Sequence, residues 1–208
     1  GSMSLFTPSD LGISGQAKLP ADSASKSDIF AENKRKSWHK DADTAARCDL
    51  SVERIALTSH VGIPVISLWK KSVKGKLLTD IKSDERMVEL FATKMSDVIS
   101  RVLGSYLSQG HWAICTTPRR RHLVNNFACS VTAKIAQNLS IPYYEDVAHA
   151  KSKERVNAVY DLGVLPKEPN LIVFDDFVTT GSTINSMKNL LQPLGKNLVF
   201  FVGINNNM

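Results

Sequence analysis

Apolar positions along this chain form two kinds of pattern, short unbroken runs and longer spaced stripes, and the two alternate. Residues 171–174 read Leu-Ile-Val-Phe, an unbroken run of β-formers set off by Pro169 and Asn170. Such a run suits a strand buried on both faces, and hence a parallel sheet. Ile184, Met187, Leu190 and Leu191 then recur at helical spacing until Pro193 and Gly195 stop them, and residues 198–202 form a second apolar run. Strand, tight loop, helix and strand make one βαβ unit, whose crossover is expected to be right-handed. The same order occurs upstream: a strand at 112–116, a helix over about 123–139 with Phe127, Val131, Ile135 and Leu139 on one face, and a strand starting at 141–144. Ahead of it, Met87, Val88, Phe91, Met95, Val98, Val102 and Tyr106 predict a long helix. Ser83 would cap it, with Asp84 and Glu85 in the first turn, and Gly110 would close it. Residues 55–57 and 61–68 read as short strands around a turn at 60–64. The alternation predicts an α/β fold, a twisted, mostly parallel sheet flanked by helices. No internal repeat is present. Residues 1–50 are polar with few apolar anchors and read as an N-terminal arm, leaving 51–208 as the main domain.

Composition fits one soluble domain. The chain has 208 residues, 43% hydrophobic and 22% charged, enough for a substantial core. No apolar run approaches the length of a membrane span, no signal peptide is visible, and Gly1-Ser2-Met3 reads as an expression remnant before a native start. Cys48, Cys115 and Cys129 are scattered and form no C-x-x-C pair. They read as free thiols in a reducing cytoplasm rather than as disulfide or zinc ligands. The net charge of +6 and pI near 9.2 admit nucleic acid, a membrane surface or an anionic small ligand. The run "KRKSWHK" at 34–40 is a weak nucleic-acid signal, and a solvated face explains it as well.

The candidate chemistry lies in "LIVFDDFVTTGSTI", residues 171–184. Ligands of open α/β sheets bind beyond the carboxyl ends of the strands. Thr179, Thr180, Gly181, Ser182 and Thr183 stand there, at a helix N-terminus whose free N–H groups and dipole favour an anion. Gly181 permits close approach of the backbone, and the hydroxyls add donors, so the loop reads as a phosphate cradle. It is neither a Walker A loop nor a dinucleotide fingerprint. Asp175 and Asp176 would repel a phosphate, so they are expected to face sugar hydroxyls, or a Mg²⁺ carried by the same ligand. The plainer alternative is an N-capping Asp pair on an ordinary strand–helix turn, which leaves the flanking hydroxyls unexplained. A second loop, "TTPRRRH" at 116–122, lies at the same end of the sheet, and its arginines suit a diphosphate. Thr117, Arg119 and Arg120 are the expected contacts, against the alternative of a basic surface cluster. The polar, basic segment 148–163 reads equally as a lid or as a surface helix.

These motifs resemble the type I phosphoribosyltransferases. The stretch at 171–184 is similar to that family's binding motif for phosphoribosyl pyrophosphate (PRPP), with Phe177 and Val178 as its variable pair. "TTPRRRHLVNNFACSVTAKIAQNL" and "AKSKERVNAVYDL", the latter carrying Glu154, Arg155 and Asn157, resemble the ComF-like branch. "LWKKSVKGK" is similar to that branch's upstream basic stretch through Lys70 or Lys71. The resemblance spans residues 66–203 and implies the type I phosphoribosyltransferase fold with an N-terminal hood region, to which residues 1–50 would contribute. It implies ribose binding by Asp175 and Asp176, 5′-phosphate binding by residues 179–183, and closure of the 148–163 segment over PRPP. Lys151, Lys153 and Arg155 would then complete the charge around pyrophosphate. It also implies Mg²⁺ as cofactor, and PRPP and a small-molecule base as partners. Nucleic acid is a weak further partner, a homodimer stays open, and no membrane is involved. One departure is clear: the four-cysteine zinc module of many ComF-like proteins is missing, which counts against a role in DNA uptake.

The implied reaction is phosphoribosyl transfer to a nitrogen-containing base with release of pyrophosphate. Positioning and electrostatics would carry the catalysis, with Asp175 and Asp176 beside the reacting sugar. The hypoxanthine–guanine branch has a third acid where this chain has Thr179, which argues against its 6-oxopurine mechanism. Any hood over the base is expected from the N-terminal third, and no motif there identifies the acceptor. The alternative is a non-catalytic PRPP- or nucleotide-binding regulator, or a nucleic-acid-associated protein that retains the fold.

Overall fold

The computed structural model describes residues 46–118, 126–150, 160–178 and 180–206. A mostly parallel sheet lies between helices, as the alternation of runs and stripes predicts. Its parallel core comprises β3 (Ile63–Ser72), β5 (Trp112–Thr116), β6 (Tyr143–Tyr144), β9 (Asn170–Val178) and β10 (Asn197–Asn205), in the spatial order β3-β10-β9-β5-β6. Three short antiparallel strands extend the β3 edge: β1 (Arg47–Cys48) and β2 (Ala56–His60) pair with β3, and β4 (Lys76–Leu77) pairs with β1. A separate antiparallel ribbon joins β7 (Ala148–Ala150) to β8 (Tyr160–Leu162).

Alternation along the central strands builds two cores. In β9, Ile172 and Phe174 enter one cluster with Phe91, Met95 and Ile99 of helix α2 (Glu85–Leu103) and Phe127, Val131 and Ile135 of helix α3 (Phe127–Leu139). Leu171 and Val173 enter the other, with Ile184, Met187 and Leu191 of helix α4 (Ser182–Leu191). Successive side chains of a strand point to opposite faces, so an unbroken apolar run needs cover on both sides. The sheet begins at Arg47, inside the segment expected to be an arm, with Ala46 and Cys48 buried beneath it.

Several boundaries differ from the sequence expectation. The turn expected at 60–64 is only Val61 and Gly62, because β2 pairs through His60 with Ile63 of β3. The long helix starts after Ser83. Residues Leu78–Ser83 form a short helix of their own, α1, and Asp84 caps α2 by accepting from the Arg86 N–H at 2.9 Å. A carboxylate there also pairs with the Arg86 guanidinium, which a serine hydroxyl would not do. That helix ends at Leu103, and a 3₁₀ turn, Gly104–Gln109, leads to the left-handed Gly110. Helix α3 starts at Phe127 behind Asn126, whose side chain accepts from the Ala128 N–H at 2.9 Å. Residues 119–125 lie outside the described residues.

Candidate functional site

The chain reverses its direction of travel across the sheet between β5 and β9. Helix α3 carries it from β5 outward to β6, whereas α4 carries it from β9 back toward β3 through β10. The crevice beyond the carboxyl ends of β5 and β9 is therefore the topological switch point, where doubly wound sheets hold ligands. Thr117 follows β5 there, half-buried, and its N–H reaches the Phe174 carbonyl at 3.4 Å. Asp175 and Asp176 occupy the end of β9 on the opposite side of the crevice.

The acids lie within the strand, where the sequence suggested they followed it. Strand β10 is longer than its apolar run, and it pairs with β9 as far as Asn205 opposite Val178. The same Asn205 pairs with Lys70 of β3, so Lys70 stands level with the residue that ends β9. Gly203 lies beside the acids. A Cβ at this position would fall 2.7 Å from the Phe91 ring and 2.9 Å from the Asp176 carbonyl oxygen. A bare backbone at Gly203 thus lets the Phe91 ring of α2 pack closely on β10, beside the acid-bearing strand.

Lys82, on α1, was not singled out by any sequence pattern. Its Nζ lies 3.2 Å from Asp176 Oδ2. The short helix α1 therefore reaches the acids through this lysine. Burial pushes the Asp175 carboxyl well above the usual carboxylate range. The charge of Asp176 and a hydrogen bond between the two acids add to the shift, while the Lys82 ammonium and the Phe177 N–H oppose it. Desolvation and a like charge both disfavour the ionised form. Asp175 thus holds its proton to a higher pH than an isolated aspartate, until something in the crevice stabilises its anion.

Beyond β9, Gly181 opens α4 as its N-cap with φ +75°, a left-handed conformation that glycine adopts without strain. The Asn185 N–H bonds to the Gly181 carbonyl at 3.2 Å. Thr180 Oγ1 donates to Ser182 Oγ at 3.1 Å and accepts from the Ser182 N–H at 3.4 Å. Thr180 and Ser182 are exposed and Thr183 is half-buried, so three hydroxyls and the first N–H groups of a helix share one small surface. Thr179, Arg119, Arg120, Lys151, Lys153 and Arg155 lie outside the described residues. The strands flanking the last three, β7 and β8, are paired with each other, and Val147, Ala148 and Tyr160 pack into the α4-side core. Among the described residues no group of three or more His, Cys, Asp and Glu could hold a metal ion, and no helix is long and apolar enough to cross a membrane.

No family model matches the chain, and no curated protein matches it. Solved structures do resemble it. Orotate phosphoribosyltransferase from Aeropyrum pernix is 16% identical, with 81% of this chain and 80% of that one covered and a TM-score of 0.44. A hypoxanthine-guanine phosphoribosyltransferase from Bacillus anthracis is 17% identical, over 59% and 79%, with a TM-score of 0.40. Adenine phosphoribosyltransferase from Thermoanaerobacter pseudethanolicus is 13% identical, over 73% and 95%, with a TM-score of 0.42. At such scores the likeness decides nothing about activity or substrate.

Proposed function

We propose that the chain is a PRPP-dependent phosphoribosyltransferase of the type I, ComF-like kind, which transfers phosphoribosyl to a nitrogen-containing base and releases pyrophosphate. The observation that carries this reading is the joining of two features at one switch point. A buried-strand acid pair, Asp175 and Asp176, is followed within a few residues by a hydroxyl-rich helix N-terminus, 180–183. Carboxylates accept from sugar hydroxyls, whereas a helix N-terminus takes a phosphate. A ribose 5-phosphate offers both groups at that spacing.

In this reading Thr179, Thr180, Gly181, Ser182 and Thr183 hold the 5′-phosphate, and Asp175 and Asp176 accept from the ribose hydroxyls. Thr117, Arg119 and Arg120 bind the diphosphate across the crevice, and Lys151, Lys153 and Arg155 close over it. The bond between the anomeric carbon and the diphosphate oxygen breaks, and the electron pair leaves with pyrophosphate. The acceptor nitrogen bonds to that carbon and loses its proton. Fixed donors around the leaving group and carboxylates near the ring favour this separation of charge. The acid pair also fits Mg²⁺, which binds through one or two carboxylates together with substrate phosphates. Asp175 and Asp176 would hold it, and when bound it would supply neutralising charge to the diphosphate. Residues 1–50, with α1, are assigned to the hood over the acceptor.

Replacing Asp175 and Asp176 together by Asn tests the ribose assignment. Calorimetry with PRPP and Mg²⁺ should show a large loss of affinity in a folded protein, and unchanged affinity would refute it. A pyrophosphate-release assay with a panel of bases then separates a transferase from a non-catalytic PRPP-binding regulator. For the nucleic-acid alternative, fluorescence anisotropy with DNA should show weak, steeply salt-dependent binding that PRPP displaces. Tight binding that ignores PRPP would make nucleic acid the main partner instead.

A further inference from the structure

The β2–β3 hairpin brings to the phosphate loop a side chain that the motif does not contain. His60 pairs with Ile63, so Val61 and Gly62 alone turn the chain. Val61 adopts φ +48°, a conformation that a β-branched residue holds only where its surroundings fix it. Its carbonyl accepts from Lys188 Nζ, on α4, at 2.7 Å. The turn is thereby tied to the same helix whose first turn carries the loop.

Held in this way, the His60 ring lies directly against Gly181. A Cβ on Gly181 would fall 2.8 Å from Nε2, 2.9 Å from Cε1 and 3.2 Å from Cδ2. The ring fills the space that a side chain at 181 would take, with its Nε2–Cε1 edge leading. The imidazole is half-buried. Among the described residues it has no hydrogen-bond or ion-pair partner. The cation on the helix beneath, Lys188, is engaged by the turn. The loop itself contributes hydroxyls and N–H groups but no charged side chain.

We propose that His60 is a further substrate-binding residue, whose imidazole N–H donates to the phosphate monoester held by the 180–183 loop. The proposal rests on the phosphate reading of that loop. A ring needed only for packing against glycine would serve as well without nitrogen atoms. Phenylalanine and histidine are therefore expected to differ in ligand binding and to agree in stability.

The experiment titrates the full chain with ribose 5-phosphate, and with ribose as the control lacking phosphate, by calorimetry. It compares the native protein with His60→Phe and His60→Ala. The expected result is a His60→Phe variant with an unchanged melting temperature and roughly ten-fold or greater loss of ribose 5-phosphate affinity, the weight of one hydrogen bond to a charged group. Equal affinity in His60→Phe and native protein would reduce His60 to packing and overturn the proposal while leaving the loop assignment intact. Failure of the native chain to bind ribose 5-phosphate would overturn the loop assignment and this proposal together. If the variants do not fold, ¹⁵N NMR of the His60 ring in the native protein decides. A shift on adding ribose 5-phosphate but not ribose supports the contact, and an unmoved resonance at saturation overturns it.

Discussion

Asp175 carries opposite consequences for folding and for binding. Its carboxyl sits well above the usual range because burial and the Asp176 charge outweigh Lys82, while an aspartate in the unfolded chain ionises near about pH 4. Between those values the native state binds more protons than the unfolded one, so stability falls as pH rises through the window and stays lowered above it. Asp175→Asn should therefore melt like the native protein in acid and above it near neutral pH, while losing ribose affinity. Thermal melts from about pH 3 to about pH 8 test this, and a variant without any advantage at neutral pH would contradict it. Native binding of ribose 5-phosphate should also weaken on acidification at a higher pH than an ordinary carboxylate would dictate. Lys82→Met should cost less than about 1 kcal/mol of stability, because its pair with Asp176 is close to half exposed on the lysine side. Of these residues the acids were legible in the sequence and Lys82 was not. Its helix, α1, has only Leu78 and Ile81 buried, too few positions to show a period.

At the level of elements, the site depends on how closely α2 and β10 approach β9. Gly203→Ala would press a methyl group into the Phe91 ring and the Asp176 carbonyl. Overpacking of this kind costs about 1–3 kcal/mol, and the strain falls on the strand that presents the acids. Urea unfolding should show the loss of stability, and calorimetry a parallel loss of ribose 5-phosphate affinity. Native affinity in a destabilised variant would mean that β9 does not move with its neighbours. The long elements β5, β9, α2, α3 and α4 were each anticipated from apolar periodicity. The bounds of β5 and the ends of α3 and α4 fall where the pattern put them, but the starts of α2 and α3 and the end of β9 do not, because a cap is decided by one side chain's choice of partner. Asp84 wins the start of α2 with Arg86, and β10 draws β9 on past Phe174 through backbone bonds that no side-chain pattern records.

At the scale of the whole molecule, two of the three thiols report on global unfolding. Cys115 lies in a central strand and Cys48 on the β1 edge, and neither is exposed. Burial pushes the Cys48 thiol up to about 11 and that of Cys115 up to about 12, leaving almost no thiolate to react. Cys129, half-buried on α3, should label first with a thiol reagent, and the other two only as the sheet opens. Labelling of Cys48 as fast as Cys129 under native conditions, with Cys115 still protected, would mean that β1 detaches from the sheet on its own.

By itself, the sequence determined the alternation of buried strands and one-sided helices, and hence a mostly parallel sheet. It also set the acids and hydroxyls together at the end of one strand. These are local properties, written in spacing of a few residues. Only the tertiary structure decided which distant residues join them. Strand order puts Thr117 across the crevice from Asp175, although 58 positions separate them in the chain. The docking of α1 sets Lys82 on Asp176, and the pinned β2–β3 turn sets His60 on Gly181. Contacts between remote segments depend on how the packed cores orient whole elements, and no short stretch of sequence encodes that orientation.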